Sequence, residues 1–317
     1  MLTGAADAVA VVRAFDAAVR DRDGRIAVAD HDALAPASTA AERVRLPPPH
    51  DRTYLDALLD AVSAFEADAV VPLHDSNLAV LAGNAAEFAA RGCTAVVSTP
   101  RFIAMADDKL ETVRFCEQAG LRVPPTWLPE ELDGADLPAQ LFVRPRRGYA
   151  SIGAEWMSRE QASAIAAERT DAIFQTALRA PEVTVDCLFD LEGRALHYVP
   201  RLRLRVEAGR SVRAVTIDQA KLRAWMPDVL ARLGAAGARG PITLQLFLVR
   251  GEPVMIEINA RIATGIALTF AAGGAYADWL VRLIEGEDVP VALGEYRSGL
   301  YMATYPEAVF FDEPLWS

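Results

Sequence analysis

The feature that most restricts this chain is a pair of alternating runs near its C-terminal end. Residues 243–249 and 253–259 flank Arg250-Gly251-Glu252. Side chains along a strand point alternately to opposite faces, so a shift of one residue would exchange the two faces. Leu244, Leu246, Leu248, Val254, Ile256 and Ile258 form one wholly apolar face, and Gln245, Phe247, Met255, Glu257 and Asn259 form the other. An antiparallel hairpin with one buried face satisfies both. If the loop is the three residues 250–252, Val249 pairs with Pro253 and Gln245 falls opposite Glu257. Gln245, Glu257 and Asn259 then converge on one patch. Carboxylate and amide oxygens suit a hard cation such as Mg²⁺, which keeps water and phosphate as further ligands. A merely solvated face would expose Phe247 and Met255, whereas a nucleotide cleft uses both oxygen ligands and apolar walls.

The remainder of the chain divides in two. In the first hundred residues, helical spacing over 7–20, 54–66 and 78–90 alternates with β-prone runs at 24–29, 69–73 and 94–98. Strands alternating with helices of this length predict a parallel α/β sheet covered on both faces. Leu2-Thr3-Gly4 reads as the end of a first strand and its turn, a strand that is either very short or starts upstream of this sequence. Asp107 is placed to cap a helix running to about Ala119, with Gly120 and Pro124-Pro125 ending it. Residues 141–145 read as a strand that feeds the loop 146–151. After Ser158, which caps a short helix, strand patterns dominate at 173–176, 183–190 and 195–206, with a helix over about 219–236 before the hairpin. An α+β half follows an α/β half.

Charge and composition remove several function classes. Against 32 Lys and Arg stand 43 Asp and Glu, a net charge of −11. That balance argues against a binder of nucleic-acid backbone, whose affinity rests on clustered cations. Cys93, Cys116 and Cys187 are scattered in apolar segments and read as buried thiols of a reducing compartment. The four histidines show no ligand spacing. No basic-then-apolar leader opens the sequence, and the longest uncharged run, 262–277, contains Gly265, Gly273 and Gly274 and is too short to span a bilayer. The expectation is a cytoplasmic protein with no nucleic-acid or membrane partner and, by default, a homodimer. Thr3-Gly4-Ala5-Ala6 lacks the glycine spacing of a dinucleotide fold, which disfavours a nicotinamide-dependent dehydrogenase.

Ile256-Glu257-Ile258-Asn259-Ala260-Arg261 resembles the Glu-x-Asn-x-Arg signature of ATP-grasp enzymes, in particular the carbamoyl-phosphate synthase large-chain branch. Three more pieces follow the family's order. Asp107-Asp108-Lys109 with Gly120 to Pro124 is similar to its Asp-Lys helix and strand entry. The stretch from Phe142 to Gly153 resembles its phosphate-binding strand and loop, and Glu182-Val183-Thr184-Val185-Asp186 resembles its Glu-x-Thr-x-Asp strand. The resemblance implies an ATP-grasp fold preceded by a Rossmann-like parallel α/β domain: residues 1–99 as that domain, 100–173 as the small subdomain, and 174–317 as the large subdomain with the hairpin. It also implies an ATP-dependent carboxylate–amine ligase that works through an acyl phosphate, with small-molecule acid and amine substrates.

Residue by residue, the resemblance implies that Lys109 and Arg144 hold ATP phosphates, and that Gly148, Ser151 and Gly153 belong to a loop closing over the triphosphate. Gln175 and Leu178 would lie at the adenine hinge, with Phe247 and Met255 as apolar walls and Glu182 accepting from the ribose. Gln245, Glu257 and Asn259 would bind Mg²⁺ (or Mn²⁺), and Arg261, with Arg144, would contact the transferred phosphoryl group. The sequence departs from the family at Thr176, where an acid is common, at Ala260, where proline is usual, and at Asn77, where glutamate is common. Arg201, Arg203 and Arg205 recur every second residue and share a strand face; either an anionic substrate or neighbouring carboxylates compensate them. Two further readings are a nucleotide-binding module without turnover and phosphorylation of bicarbonate or carbamate.

Overall fold

The computed structural model describes residues 1–148 and 152–310. Five parallel strands, β1 (Leu2–Thr3), β2 (Ala27–Asp30), β3 (Glu42–Arg45), β4 (Ala69–Pro72) and β5 (Thr94–Ala95), lie in the order β3-β2-β1-β4-β5. The two-residue β1 is the sheet's centre. Helices α1 (Val9–Arg20), α2 (Tyr54–Phe65), α3 (Asp75–Gly83) and α4 (Ala85–Ala89) accompany it. Strand β3 escapes the sequence reading because Glu42-Arg43-Val44-Arg45 is a mostly exposed edge with no apolar face to detect. The single helix expected over 78–90 is two, divided at Asn84.

Next come α5 (Pro100–Asp107) and α6 (Lys109–Gln118). Thr99-Pro100 opens α5, with Thr99 accepting from the Phe102 N–H and proline in the first turn, where its missing donor costs nothing. The cap of α6 is therefore Asp108, one residue later than expected, and its carboxylate accepts from the Leu110 N–H at 3.0 Å.

A small antiparallel sheet contains β6 (Thr126–Trp127), β7 (Gln140–Pro145), β8 (Glu155–Ser158) and β9 (Ala172–Thr176), in the order β6-β9-β7-β8. Its core is Leu141, Val143 and Phe174 under Leu132 and Ala162, the last on α7 (Arg159–Ile165). All of β9 pairs within this sheet, so a division between residues 173 and 174 would cut a strand; the sheet itself ends at Thr176.

The large sheet is assembled from β10 (Glu182–Phe189), β11 (Ala195–Glu207), β12 (Arg210–Thr216), β13 (Pro241–Val249), β14 (Glu252–Asn259) and β15 (Tyr301–Ala303), in the order β14-β13-β10-β11-β12-β15. One face, with Val183, Val185, Leu244 and Leu246, packs on α8 (Ala220–Ala236) and on Phe102, Ile103 and Cys116 of α5 and α6. Fully burying each such large side chain is worth roughly 1.5–3 kcal/mol. A second core joins Leu188 and Leu196 to α1 and to α10 (Tyr276–Ile284), which follows the short α9 (Ala267–Ala271), and to Leu2, Val28 and Val71 of the parallel sheet. The first and last parts of the chain are thus welded together, and the small sheet stands across a gap. Cys93, Cys116 and Cys187 are buried and free, and burial raises each thiol above its ordinary range. Among the described residues, no helix is long and apolar enough to cross a membrane.

The β13–β14 hairpin holds the main correction. Its turn has two residues, Arg250 (φ 54°) and Gly251 (φ 78°), both left-handed, and Val249 pairs with Glu252 rather than Pro253. That would have slipped every pair by one. A bulge between Gln245 and Leu246 absorbs the shift, and Gln245 still lies opposite Glu257. The bulge inverts the faces on its far side. Met255 pairs with Leu246, is 1% exposed and packs in the core under the sheet, so it is not a cleft wall.

Candidate active site

The small sheet, the polar face of the large sheet and the connections leaving β1 and β4 enclose a cavity of about 910 Å³. Glu257, Gln245, Thr184 and Arg201 are successive cross-strand neighbours over β14, β13, β10 and β11, and all four line the cavity. Asn259, Phe247, Glu182, Arg203 and Arg261 line it from the same side. Strand alternation explains this selection. Glu182, Thr184 and Asp186 share one face of β10, while Val183, Val185 and Cys187 enter the core.

From the opposite wall, Arg144 reaches across. Its Nη1 donates to Glu257 Oε2 at 3.3 Å and its Nη2 to the Ile256 carbonyl at 2.8 Å. Ile256 is the residue that the bulge leaves without a cross-strand partner, and its carbonyl is the one this guanidinium takes. Arg144 is 5% exposed; burial lowers its pKa, and Glu257 opposes that. Phe142, Trp156 and Leu178 give the same wall an apolar stretch, with Phe142 and Trp156 edge to face at 5.8 Å. Gln175 is buried there and donates to Thr126 Oγ1 at 2.9 Å.

Arg261 is held from the parallel sheet. Its Nε and Nη2 donate to the two oxygens of Asp75, both at 2.7 Å, and its Nη1 to the Ile262 carbonyl at 3.1 Å. Asp75 opens α3 just after β4, so one bidentate pair fixes the cleft arginine to the N-terminal domain. Arg201 is gripped in the same way by Asp186, at 2.6 and 2.9 Å, and Arg203 pairs with Glu182. Arg205 departs from this pattern. Register shifts on either side of it leave it exposed beside Glu207, and the three-arginine face predicted from the spacing is a two-arginine face.

The Lys109 side chain does not reach the cavity lining. Its Nζ donates to the Gly148 carbonyl at 2.7 Å and approaches that of Arg146 at 3.5 Å, so the ammonium ties down the start of the loop after β7. Burial lowers its pKa, with Glu257 opposing. Arg146 forks onto Asp108 at 3.1 and 2.5 Å, a second tie between α6 and that loop. Gly148 (φ 118°) and Gly153 (φ 74°) both hold left-handed backbone that favours glycine. Ser151 lies outside the described residues.

Sequence reasoning missed Asp75, Phe142, Trp156 and Thr184. Asp75 left a readable signal, an acid directly after a parallel strand, where open α/β sheets place their ligand-facing residues. Trp156 and Phe142 left none beyond being aromatic.

Among the described residues, no cluster of three or more His, Cys, Asp or Glu could hold a metal. The donor set Gln245, Glu257 and Asn259 has one carboxylate and two amides. It therefore fits a hard cation that draws further oxygens from a phosphate chain or water.

Two family descriptions match the chain: "PylC-like, N-terminal domain" over residues 1–96 and "ATP-grasp in the biosynthetic pathway with Ter operon" over residues 168–306. No curated protein sequence matches. Similar solved structures include the biotin carboxylase domain of Hydrogenobacter thermophilus 2-oxoglutarate carboxylase in complex with MgADP, ADP and bicarbonate. It has 16% identity and a TM-score of 0.76, covering 95% of this chain and 72% of that one. N5-carboxyaminoimidazole ribonucleotide synthetase from Thermus thermophilus has 18% identity and a TM-score of 0.72, covering 92% and 79%. L-amino acid ligase from Bacillus licheniformis has 18% identity and a TM-score of 0.68, covering 92% and 77%.

Proposed function

The chain has the ATP-grasp fold, and from that premise we propose that it is an ATP-dependent carboxylate–amine ligase working through an acyl phosphate. The observation that carries this reading is the convergence of Gln245, Glu257 and Asn259 on one patch of a cleft, with the buried Arg144 closing on Glu257 from the other wall. Phosphate chemistry needs such a set: oxygens for a metal, fixed cations for the charge that moves, and walls that exclude water.

In this reading the adenine lies between Phe142, Gln175 and Leu178 on one side and Phe247 on the other, and Glu182 accepts from the ribose. Gln245, Glu257 and Asn259 hold Mg²⁺, which Mn²⁺ can replace; when bound, it neutralises and orients the phosphates. Arg144 moves from Glu257 to the phosphate chain. Lys109 acts indirectly, holding the Gly148 carbonyl where the chain leaves β7, with Gly148 and Gly153 beside the triphosphate. Arg261, immobilised by Asp75, faces the transferred group.

The chemistry balances in two displacements. A substrate carboxylate oxygen attacks the γ-phosphorus, the bond to the bridging oxygen breaks, and ADP leaves. An amine nitrogen then attacks the acyl carbon and phosphate departs with the C–O bond electrons, while the nitrogen loses a proton to solvent. Phosphorylation thereby converts a poor leaving oxygen into a good one. The test is ADP and phosphate release that requires both an added acid and an added amine and is lost in Glu257→Ala. Tight MgATP binding with no turnover across a broad acid and amine panel would establish a non-catalytic module instead. A homodimer is proposed on the usual symmetry of soluble oligomers, and sedimentation velocity decides it.

A further inference from the structure

Four carboxylates line the cavity among the described residues, and each already faces an arginine: Asp7 with Arg210, Asp75 with Arg261, Glu182 with Arg203, and Glu257 with Arg144. Glu257 is the one charge in the donor set Gln245, Glu257 and Asn259. Its pair is unlike the Asp75–Arg261 fork. A single Arg144 nitrogen reaches Glu257 Oε2, at 3.3 Å, where a charge-assisted bond is usually about 2.7–2.9 Å. The second contact goes to the Ile256 carbonyl, and Nε is buried with no partner. A buried donor left unmade costs stability, so this seat can be exchanged for one with more acceptors. The two side chains are only 6% and 21% exposed, so little water screens them from each other. Lys109 adds a second cation nearby. Burial works against the charge of both Lys109 and Arg144, and Glu257 is the largest influence favouring it in each.

We propose that Arg144 guards the metal site: while it sits on Glu257 the patch takes up no divalent cation, and a polyphosphate that draws it away releases the carboxylate. This rests on the ligase reading. With Glu257 neutralised, Gln245 and Asn259 offer dipoles but no net charge. A cation arriving alone would meet Arg144 and Lys109 with nothing left to offset them. A phosphate chain reverses the balance, because its oxygens suit the guanidinium fork and its own negative charge joins the freed carboxylate. Arg144 stands on β7 of the small sheet and Glu257 on β14 of the large one, so the change of partner takes place between the two walls. Metal and nucleotide therefore favour each other's binding through one side chain, and the coupling is reciprocal.

Binding of Mn²⁺ alone to the full chain, followed by the loss of the free ion's electron paramagnetic resonance signal, tests this. Arg144→Met is expected to bind Mn²⁺ at least about tenfold more tightly than wild type, within the usual range of coupling between sites. Arg144→Lys keeps the charge and is expected to stay within about threefold of wild type. The gain should vanish when Glu257→Gln is added to Arg144→Met, because the guard acts on that carboxylate. Equal Mn²⁺ affinity in wild type and Arg144→Met overturns the guard. So does a gain as large in Arg144→Lys as in Arg144→Met, because charge would then not be what excludes the metal. A second measurement, calorimetric binding of ADP together with Mn²⁺ to wild type, addresses the ligase reading. Its failure would refute that reading, while the comparison made with Mn²⁺ alone still decides the guard.

Discussion

The two walls of the cleft are built on opposite principles. The small sheet presents Phe142, Trp156 and Leu178 and a single buried cation, Arg144. The large sheet presents Glu182, Thr184, Arg203, Gln245 and Glu257, and almost every charge it shows is already paired. An apolar wall can be made from the residues any core uses. A polar wall needs each charge held by a neighbour, and cross-strand rows of a sheet supply those neighbours at fixed spacing. The difference assigns recognition of a flat, apolar group to the small sheet and charge chemistry to the large one. Arg144 is the exception that links them, and substitutions should sort accordingly.

The largest effect belongs to the polar wall. Glu257→Ala is expected to lower ligase turnover by about 10³-fold, since it removes the one carboxylate of the proposed metal set. Steady-state ADP release measures it, and a change of less than about twofold would return this wall to an ordinary solvated surface. Arg144→Met comes next, at about 10²-fold in kcat/KM, because one preorganised donor to transferring charge is typically worth that much. Its methionine occupies the same buried space, so near-wild-type thermal unfolding should accompany the loss. Asp75→Asn should cost about tenfold in kcat with the KM for ATP unchanged, because it loosens Arg261 without touching nucleotide. An equal rise in KM would show that Asp75 acts on binding rather than on position.

These ranks also mark what was legible in the sequence. The hairpin's polar face, its partnership of Gln245 with Glu257, and the helix–strand alternation of the first hundred residues follow from periodicity, which burial imposes directly on the letters. Three things do not. The edge strand β3 has no buried face to leave a period. The Lys109 contact with Gly148 depends on how a loop returns to a helix start, and spacing carries no record of that. The bulge at Ile256 is invisible because its evidence is a cancellation: a turn one residue shorter than expected and a strand one residue longer. A three-residue turn without a bulge yields the same Gln245–Glu257 pair as a two-residue turn with one, and only the Met255 face tells them apart.

On the apolar wall the effects shrink. Trp156→Ala removes an exposed ring that packs on Phe142 and lies under Arg179. It should raise the KM for ATP about fivefold, the equivalent of about 1 kcal/mol of lost contact, with kcat unchanged. A drop in kcat at constant KM would place Trp156 with the polar wall and blur the division.

The smallest effect sharpens the comparison most, because it tests which side of the sheet a residue is on. If the hairpin alternated without a bulge, Met255 would stand beside Phe247 in the cleft. With the bulge, Met255 faces Leu246 and the core, its N–H donates to the Arg122 carbonyl at 2.8 Å, and Ile256 takes the place in the cleft lining. Met255→Leu conserves volume in a core, so it should cost less than about 1.5 kcal/mol and leave the KM for ATP within about twofold. Met255→Ala should cost about 2–5 kcal/mol in denaturant unfolding, again with little change in KM, because the cavity opens under the sheet. The opposite pattern, little loss of stability and a clear loss of nucleotide affinity, would place Met255 in the cleft. It would remove the bulge, and with it the placement of the Ile256 carbonyl that holds Arg144 across the gap.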